Sequence, residues 1–542
     1  MVTYDTKRLL IVDDFENFRL SLKRMLNSIG IHDIDIVSNG RDAVRLCREK
    51  TYDAILCDYN LGQGKNGQQV LEELQHLDIL TRKTLFIMIS AETNREMVLG
   101  ALEYSPDGYI SKPFTQALLH KRLESFFSKQ DELAPILSAL DQHNDQQALQ
   151  LCQQKANQPG RYRSWCLQQL AELQIKTGDY PGAKLTCDEL LKGRQQDLPR
   201  LLLAQVAMHE KRFEDAITLL EELLIKSPHL ARACDLMAEC HRALMAPRAA
   251  QKALERAISI SPHYLERQQS LANLSQKNED LDTATEAWRS TVRLSQHSCL
   301  EAPDHYLNLA RCLGESAGGN SESGSRLARE AMQMVDRARQ RFGDSPQIQM
   351  ESAIVEAQVH INQNNTEDAD KALQEAGELL EQLPSDRRES LQLELGKTLL
   401  QAGSNERGEQ LLNELVVDNN NSELTSLVNE ILDEPVSNIQ RKRAAELNKK
   451  GIEAFKADSF DEAIDYFLDA QTLSGRHPGI NLNLIQSILK KARLDGFRKE
   501  YEKQCQTALQ RIAHLTANHH QWERYQHLKQ QVDKQFPEKT DR

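Results

Sequence analysis

Four short apolar runs divide the first 115 residues of this 542-residue chain. They occupy residues 9–12, 54–57, 85–89 and 109–110, with polar and turn-forming residues between them. Runs of this length are too short for buried helices and are typical of strands that are covered on both faces of a parallel sheet. The pattern predicts an α/β domain at the start of the chain.

A chemically active side chain stands at the end of each run. Asp13 and Asp14 follow the first run, Asp58 follows the second, and the third and fourth are followed by Ser90 and Lys112. In open α/β sheets, ligands bind in crevices at the carboxyl ends of the strands. Three carboxylates brought together there repel one another, and Mg²⁺ is a natural occupant because it prefers oxygen ligands. The sequence therefore predicts a magnesium site.

This set of residues resembles the receiver domain of two-component response regulators over residues 1–128. Each feature is common by itself, and their number and order carry the resemblance. It implies a flavodoxin-like, doubly wound parallel sheet. It also implies that Asp58 takes a phosphoryl group from the phosphohistidine of a histidine kinase, in the manner of other covalent carboxylate nucleophiles. In this family, Mg²⁺ is held by the equivalents of Asp13, Asp14, Asp58 and the backbone carbonyl of Asn60, with Asp14 and Asp58 as direct ligands.

The resemblance assigns roles to further residues. Lys112 pairs with the phosphoryl oxygens, Ser90 donates a hydrogen bond to them, and Ser90 and Tyr109 rearrange together to report phosphorylation. Asn60 and Glu92 flank the path of the water that hydrolyses the phosphoryl group. Because both are polar and help to position water, we expect a short-lived phosphorylated state.

Three glycines follow the expected phosphoacceptor. Gly62, Gly64 and Gly67 have the spacing of a dinucleotide-binding fingerprint. That fingerprint belongs at the first turn from strand to helix of its fold, whereas here it follows a later strand, so we reject nucleotide binding. The loop also lacks the proline that receivers usually carry after the phosphoacceptor, and it is one residue longer than the commonest form.

The rear of the chain repeats itself every 34 residues. The repeated positions include Ala216, Ala250 and Ala284, and also Leu220, Leu254 and Trp288. A 34-residue period of paired helices is the signature of tetratricopeptide repeats, which the segment resembles. We predict an all-α solenoid with a main array over residues 135–432 and a C-terminal unit over residues 438–535. Repeats of this kind stack on their neighbours and form extended surfaces that bind proteins.

Composition excludes several classes of function. The net charge is −13, and most of it falls after residue 128, which argues against a nucleic-acid footprint. The ten cysteines lack metal-ligand spacing and indicate a reducing compartment. The chain opens without a signal peptide, and no apolar window is long enough to span a membrane. We therefore expect a cytoplasmic protein without membrane insertion.

We predict a phosphorylation-controlled interaction protein that is not an enzyme. A cognate histidine kinase would phosphorylate Asp58, and the repeat array would bind or release an unidentified protein. An alternative is a modulator of phosphotransfer, in which the repeats bind a sensor kinase or a second regulator and Asp58 competes for phosphoryl groups. A catalytic helical half is a third possibility, but no nucleophile–base pair or metal cluster in the sequence favours it.

Overall fold

The computed structural model describes residues 4–91, 100, 103–193, 196–318, 321–419, 422–432, 438–496, 498–515 and 521–536. These residues form two compact units, Met1–Ser316 and Ala317–Arg542. The first unit begins with a parallel sheet and continues as paired helices, and the second consists of helices in its described residues. The predicted fold class, an α/β receiver fold followed by an all-α solenoid, is confirmed. The sequence-based division at residues 135–432 and 438–535 stays a prediction.

A five-stranded parallel sheet opens the first unit. Its strands are β1 (Arg8–Val12), β2 (Asp33–Val37), β3 (Ala54–Asp58), β4 (Leu85–Ser90) and β5 (Gly108–Ser111). They lie in the order β2-β1-β3-β4-β5, so the chain turns to one side of β1 for β2 and to the other side for β3. This reversal of strand order between β1 and β3 opens a crevice at their carboxyl ends.

Helices cover both faces of the sheet. They are α1 (Glu16–Ser28), α2 (Gly40–Glu49), α3 (Gly67–His76) and α4 (Gln116–Asp141). Successive strand residues point to opposite faces. Leu10 and Val12 of β1 therefore join a core with α2 and α3, while Leu9 and Ile11 join a second core with α1 and α4. All four of these β1 side chains are fully buried, which explains why the run is apolar without interruption.

The helix α4 passes from the sheet into the helical region without a break. Its first half contributes Leu119, Leu123 and Phe127 to the core of the sheet. Its second half contributes Leu133 and Ile136 to the first core of the helical region. The change of core after residue 127 coincides with the composition change that the sequence displays there, although no linker separates the two parts.

The described residues after α4 form ten further helices in the first unit. They are α5 (Asp145–Ala156), α6 (Arg163–Lys176), α7 (Tyr180–Leu191), α8 (Asp197–His209), α9 (Phe213–Lys226), α10 (Ala231–Ala243), α11 (Pro247–Ile260), α12 (Leu265–Lys277), α13 (Leu281–Ser295) and α14 (Pro303–Ser316). Each of the helices α5 to α13 packs on the next one along the chain. The alanines that repeat every 34 residues are fully buried between them.

The described residues of the second unit form further helices, most of which also pack on the next one along the chain. They are α15 (Glu322–Phe342), α16 (Pro346–Asn362), α17 (Thr366–Leu380), α18 (Ser385–Gln401), α19 (Asn405–Asn419), α20 (Ser422–Leu432), α21 (Asn438–Lys456), α22 (Phe460–Leu473), α23 (Pro478–Asp495), α24 (Lys499–Arg511) and α25 (Trp522–Gln535). Close packing again requires small residues. A side chain at Gly451 would meet the Phe467 ring at 2.6 Å, and one at Gly396 would meet Leu412 at the same distance.

One turn geometry recurs along the helical region. Its residues with positive φ in the first unit are His143, Gly178, Lys211, Met245 and Glu279, at intervals of 33–35 residues. In each case the next residue donates its backbone N–H to the carbonyl five residues earlier, at 2.8–2.9 Å. This is the bond of a Schellman helix end. Asn364, Gly403 and Asp458 make the same turn in the second unit. The repeat is therefore one of backbone geometry as well as of sequence.

Replacing Ala216 by leucine should destabilise the helical region. Ala216 is fully buried where α8, α9 and α10 meet, against Ala207 and Cys240. The added side chain would overpack this contact and cost about 1–3 kcal/mol of unfolding free energy. Thr218→Leu is the matched control, because Thr218 is exposed on the same helix. Urea titration followed by circular dichroism should give a lower midpoint for Ala216→Leu alone, and equal midpoints would contradict the packing described here.

Candidate functional site at the carboxyl edge of the sheet

Three carboxylates meet where the strand order reverses. Asp13 and Asp14 follow β1, and Asp58 is the last residue of β3. Val12 and Cys57 are paired across the two strands, so Asp13 and Asp58 are brought side by side. One oxygen from each of the three carboxylates lies within 4.8 Å of the others. Asp13 is 2% exposed, whereas Asp14 faces solvent and Asp58 is half-buried.

Asp13 is held in place by bonds on both of its carboxylate oxygens. Oδ1 accepts the backbone N–H of Phe15 at 2.8 Å, and Oδ2 lies 2.6 Å from Lys112 Nζ. The backbone carbonyl of Asp13 accepts a bond from the Arg19 guanidinium at 2.5 Å. A buried carboxylate needs such partners to remain charged. Asp13 is therefore held in one orientation at the floor of the crevice.

Lys112 provides the positive charge of the site. Its Nζ atom lies 2.6 Å from both Asp13 Oδ2 and Asp58 Oδ2, and 4.1 Å from the centre of the Phe18 ring. Burial by itself would lower the pKa of Lys112. The hydrogen bonds and charges of the two carboxylates outweigh burial, so its pKa is raised. The following peptide bond, to Pro113, is cis.

The pKa of Asp58 is raised. Burial is the main cause, and the charge of Asp13 adds to it. Lys112 opposes the shift, as does a long 3.4 Å bond from the backbone N–H of Asn60 to Asp58 Oδ1. A divalent cation favours the ionised form of such a group. The donor set consists of hard carboxylate oxygens, which is the kind that Mg²⁺ requires, so the residues present fit this ion.

The remaining predicted residues surround this cluster at different distances. Ser90 ends β4, is 2% exposed, and accepts the backbone N–H of Lys112 on its carbonyl at 2.7 Å. Tyr109 lies on β5 and is half-buried against the α2–α3 side of the sheet. The Asn60 side chain accepts the Gly62 N–H at 3.2 Å. Glu92 lies outside the described residues, so its role in dephosphorylation stays a prediction.

The glycines of the loop after Asp58 have conformational roles. Gly62 and Gly64 adopt positive φ angles of 74° and 100°. Gly67 starts α3 directly against the strand, and a side chain there would come within 2.1 Å of the Asp58 carbonyl oxygen. Turn formation and close approach account for all three glycines, in agreement with the rejection of a dinucleotide site.

Sequence reasoning missed several supporting residues. Phe18 and Arg19 contact the site from the first turn of α1, one turn of helix beyond the acid pair. A capping box joins Asn66 and Gln69 at the start of α3, where each side chain accepts the backbone N–H of the other. The Asn-x-x-Gln spacing signals such a box in sequence. The contacts of Phe18 and Arg19 had no comparable signal.

Other classes of site find less support in the described residues. The acid trio is the one metal-competent group of histidine, cysteine and acidic side chains among them. All ten cysteines are free thiols, and nine are buried. No described helix has the length and apolar character needed to cross a membrane.

Comparison with known proteins assigns the first part of the chain to a family. Residues 9–124 match the response regulator receiver domain family. Chemotaxis protein CheY-3 of Vibrio cholerae is 33% identical over 128 residues, which cover 22% of this chain and 92% of that protein. Chemotaxis protein CheY of Pseudomonas aeruginosa is 29% identical and is covered to 97% of its length.

A solved structure covers the same part of the chain. It is the receiver domain of the sensor histidine kinase PA1611 from Pseudomonas aeruginosa, with a magnesium ion in its active-site cleft. It has 26% identity and a TM-score of 0.21, and the match covers 22% of this chain and 98% of that domain. From the family match and the extent of the identity to CheY-3, this chain belongs to the response regulator receiver family, with its receiver domain at the N-terminal end.

Proposed function

We propose that this protein is a response regulator in which Asp58 accepts the phosphoryl group and the helical repeats bind a protein partner. Receiver domains of this family are phosphorylated on an aspartate by kinases. One observation carries the assignment to this chain's own residues: Lys112 Nζ lies 2.6 Å from both Asp13 and Asp58 at the carboxyl edge of the sheet. A fixed carboxylate, a nucleophilic carboxylate and an ammonium group are thereby combined at one point.

The three carboxylates differ in their fitness as nucleophiles. Both oxygens of Asp13 are engaged, and the side chain is buried. Asp14 projects into solvent. Asp58 is half-buried, and its Oδ1 carries only the long bond to Asn60. That oxygen can attack the phosphorus of a phosphohistidine. The new O–P bond forms as the P–N bond breaks, and the electron pair of the P–N bond returns to the imidazole nitrogen.

Magnesium and Lys112 would stabilise the transferred group. Asp13, Asp14, Asp58 and the carbonyl of Asn60 would hold Mg²⁺, which offsets negative charge on the phosphoryl oxygens when it is bound. Lys112 already bridges two carboxylates. It can redirect one of these hydrogen bonds to a phosphoryl oxygen, where it acts as a point charge. The hydroxyl of Ser90 lies at the end of the neighbouring strand and would donate a further bond. Tyr109, on β5, would follow the movement of Ser90.

The helical repeats are proposed as the output. Their recurring turn, their buried alanines and their 34-residue period support a tetratricopeptide-like array. Arrays of stacked helix pairs present long surfaces suited to peptides or helices of other proteins. A cognate histidine kinase would supply the phosphoryl group, and the partner of the repeats would receive the signal. In this proposal the chain transmits phosphorylation through binding and needs no catalytic site in its helices.

Replacing Asp58 by asparagine should abolish phosphorylation. Acetyl phosphate with Mg²⁺ should label the wild-type chain, and a carboxamide cannot form the acyl phosphate. Asp53→Asn is the matched control, because Asp53 lies just before the other end of β3 and pairs with Lys7. Labelling with radioactive phosphate should persist in Asp53→Asn and disappear in Asp58→Asn. Retained labelling of Asp58→Asn would refute the assignment.

Magnesium should stabilise the receiver through the acid trio. Binding to the folded state alone raises unfolding free energy by about 2.7 kcal/mol at a Mg²⁺ concentration one hundred times the dissociation constant. Asp14→Asn removes one ligand without disturbing a buried residue, so most of this stabilisation should be lost. Thermal melting with and without Mg²⁺ measures the effect, and Asp53→Asn should respond as the wild type does. An Asp14→Asn variant that gains as much as the wild type would rule out Asp14 as a ligand.

A further inference from the structure

We propose that α3 of the receiver docks on the connection between α13 and α14 in the same chain, and that phosphorylation of Asp58 opens this contact. All of these elements belong to the first compact unit. The inference rests on the proposed function, since it takes Asp58 as the phosphoacceptor. It identifies the surface that responds to phosphorylation and the segment that phosphorylation releases. We call this segment the docked connection (residues 296–302).

Gln69 joins the receiver to the docked connection. Its Nε2 atom donates to the backbone carbonyls of Leu294, at 3.2 Å, and Gln296, at 2.9 Å. These carbonyls lie at the C-terminal end of α13, where backbone acceptors have no partner within the helix. The Gln69 side chain is 7% exposed, so the bonds are shielded from water. One amide group thus caps a helix that is more than 200 residues away in sequence.

The oxygen of the same amide is hydrogen-bonded to the loop that follows Asp58 (residues 59–66). Gln69 Oε1 accepts the backbone N–H of Asn66 at 3.1 Å, and Asn66 Oδ1 accepts the Gln69 N–H at 2.8 Å. The next residue, Gly67, lies against Asp58 and donates its N–H to the Tyr59 carbonyl at 2.8 Å. A displacement of the loop after Asp58 therefore acts directly on the group that holds the docked connection.

Two further buried contacts close the surface. The Glu72 carboxylate, 7% exposed, accepts a hydrogen bond from the Ser298 hydroxyl. Arg267, 2% exposed, bonds to Glu103 of the receiver at 3.0 Å and to Asp235 of α10 at 2.7 Å. Breaking a buried pair by removing one partner leaves an uncompensated charge, which is costly. The contact is therefore specific and not a loose association.

Phosphorylation and docking compete for the geometry of one loop. A phosphoryl group adds bulk and about two negative charges at Asp58 Oδ1, the oxygen that accepts the backbone N–H of Asn60 in the loop between β3 and α3. The new group displaces this N–H and moves the loop, which ends at Asn66. The planar amide of Gln69 cannot then keep its bonds to Asn66 and to the α13 carbonyls together. Because coupling between two sites is reciprocal, loosening the docking should also favour the phosphorylated form.

Cys299 reports on the docked connection. It is the one cysteine of the ten that is only partly buried. Burial raises the pKa of its thiol, and the charges of Glu72 and Glu73 add to the rise. Opening the contact would expose the sulfur and remove these carboxylates, and both changes accelerate alkylation, because the thiolate is the reactive form.

The test uses the full-length chain with beryllofluoride, a stable phosphoryl mimic, and Mg²⁺. Iodoacetamide is added, and the rate of Cys299 alkylation is followed by peptide mass spectrometry. We expect beryllofluoride to raise this rate at least about fivefold, the lower end of typical coupling between sites. In Asp58→Asn the rate should not respond.

Two variants loosen the contact from outside the acid cluster. Ser298→Ala removes the hydrogen bond to Glu72. Glu103→Gln removes one of the two acidic partners of Arg267 and leaves the other, Asp235, in place. Each should speed alkylation of Cys299 without beryllofluoride and should bind beryllofluoride more tightly than the wild type. Glu221→Gln, on the exposed face of α9, is the matched control and should change neither quantity. Circular dichroism verifies that the variants are folded.

The outcomes separate the two proposals. If beryllofluoride binds in a manner that needs Mg²⁺ and Asp58, but Cys299 reacts at the same rate or more slowly, the docking inference is wrong and the proposed function stands. Unchanged beryllofluoride affinity in both variants would also overturn the inference. If beryllofluoride does not bind at all, Asp58 is not a phosphoacceptor of this type and both proposals fail.

Discussion

The electrostatic balance at the carboxyl edge of the sheet is the constraint on which the rest depends. Three carboxylates are gathered where β1 and β3 end, and one half-buried ammonium group bridges two of them. Asp13 is the buried member, and leaving a buried charge without its partner typically costs about 3–5 kcal/mol. The site is therefore stable only while Lys112 or another cation is present. A group that brings both negative charge and its own cation can rearrange the cluster, and a phosphoryl group with Mg²⁺ has these properties.

The path from this cluster to the helices is short because the packing around it is tight. The first residue of α3 touches the carbonyl of Asp58, and the third carries the amide that caps α13. Gln69, Glu72 and Arg267 are buried and hydrogen-bonded across this surface, so the contact has a defined geometry. Packed interfaces of this kind tend to have two discrete arrangements rather than a continuous range, which is what a switch requires.

The strand ends and their chemistry could be predicted from sequence because they depend on local patterns. An apolar run that ends in a carboxylate fixes both the strand and the edge at which Asp13 or Asp58 must lie. The 34-residue period likewise predicted the paired helices, since each pair needs a small residue such as Ala216 at its closest approach. The confirmed fold class followed from these two patterns and from the family resemblance that the strand-end residues carry.

The remaining features depend on tertiary placement and left no such pattern. The sequence around Gln69 indicates a capping box, and nothing near it indicates that the Gln69 amide also reaches α13. Arg267 has the sequence context of a solvated charge on a polar helix, yet it is buried between Glu103 and Asp235 from distant segments. The continuity of α4 from the core of the sheet into the core of the helical region could not be predicted either, because both halves of this helix have ordinary helical composition.

The central claim is that Asp58 carries the phosphoryl group, and chemical trapping tests it most directly. Borohydride reduces an acyl phosphate on aspartate to homoserine, which marks the modified position permanently. After reaction of the full-length chain with acetyl phosphate and Mg²⁺, peptide mass spectrometry should find homoserine at position 58, with Asp13 and Asp14 unchanged. Homoserine at another acidic residue, or at none while phosphate is incorporated, would contradict the account.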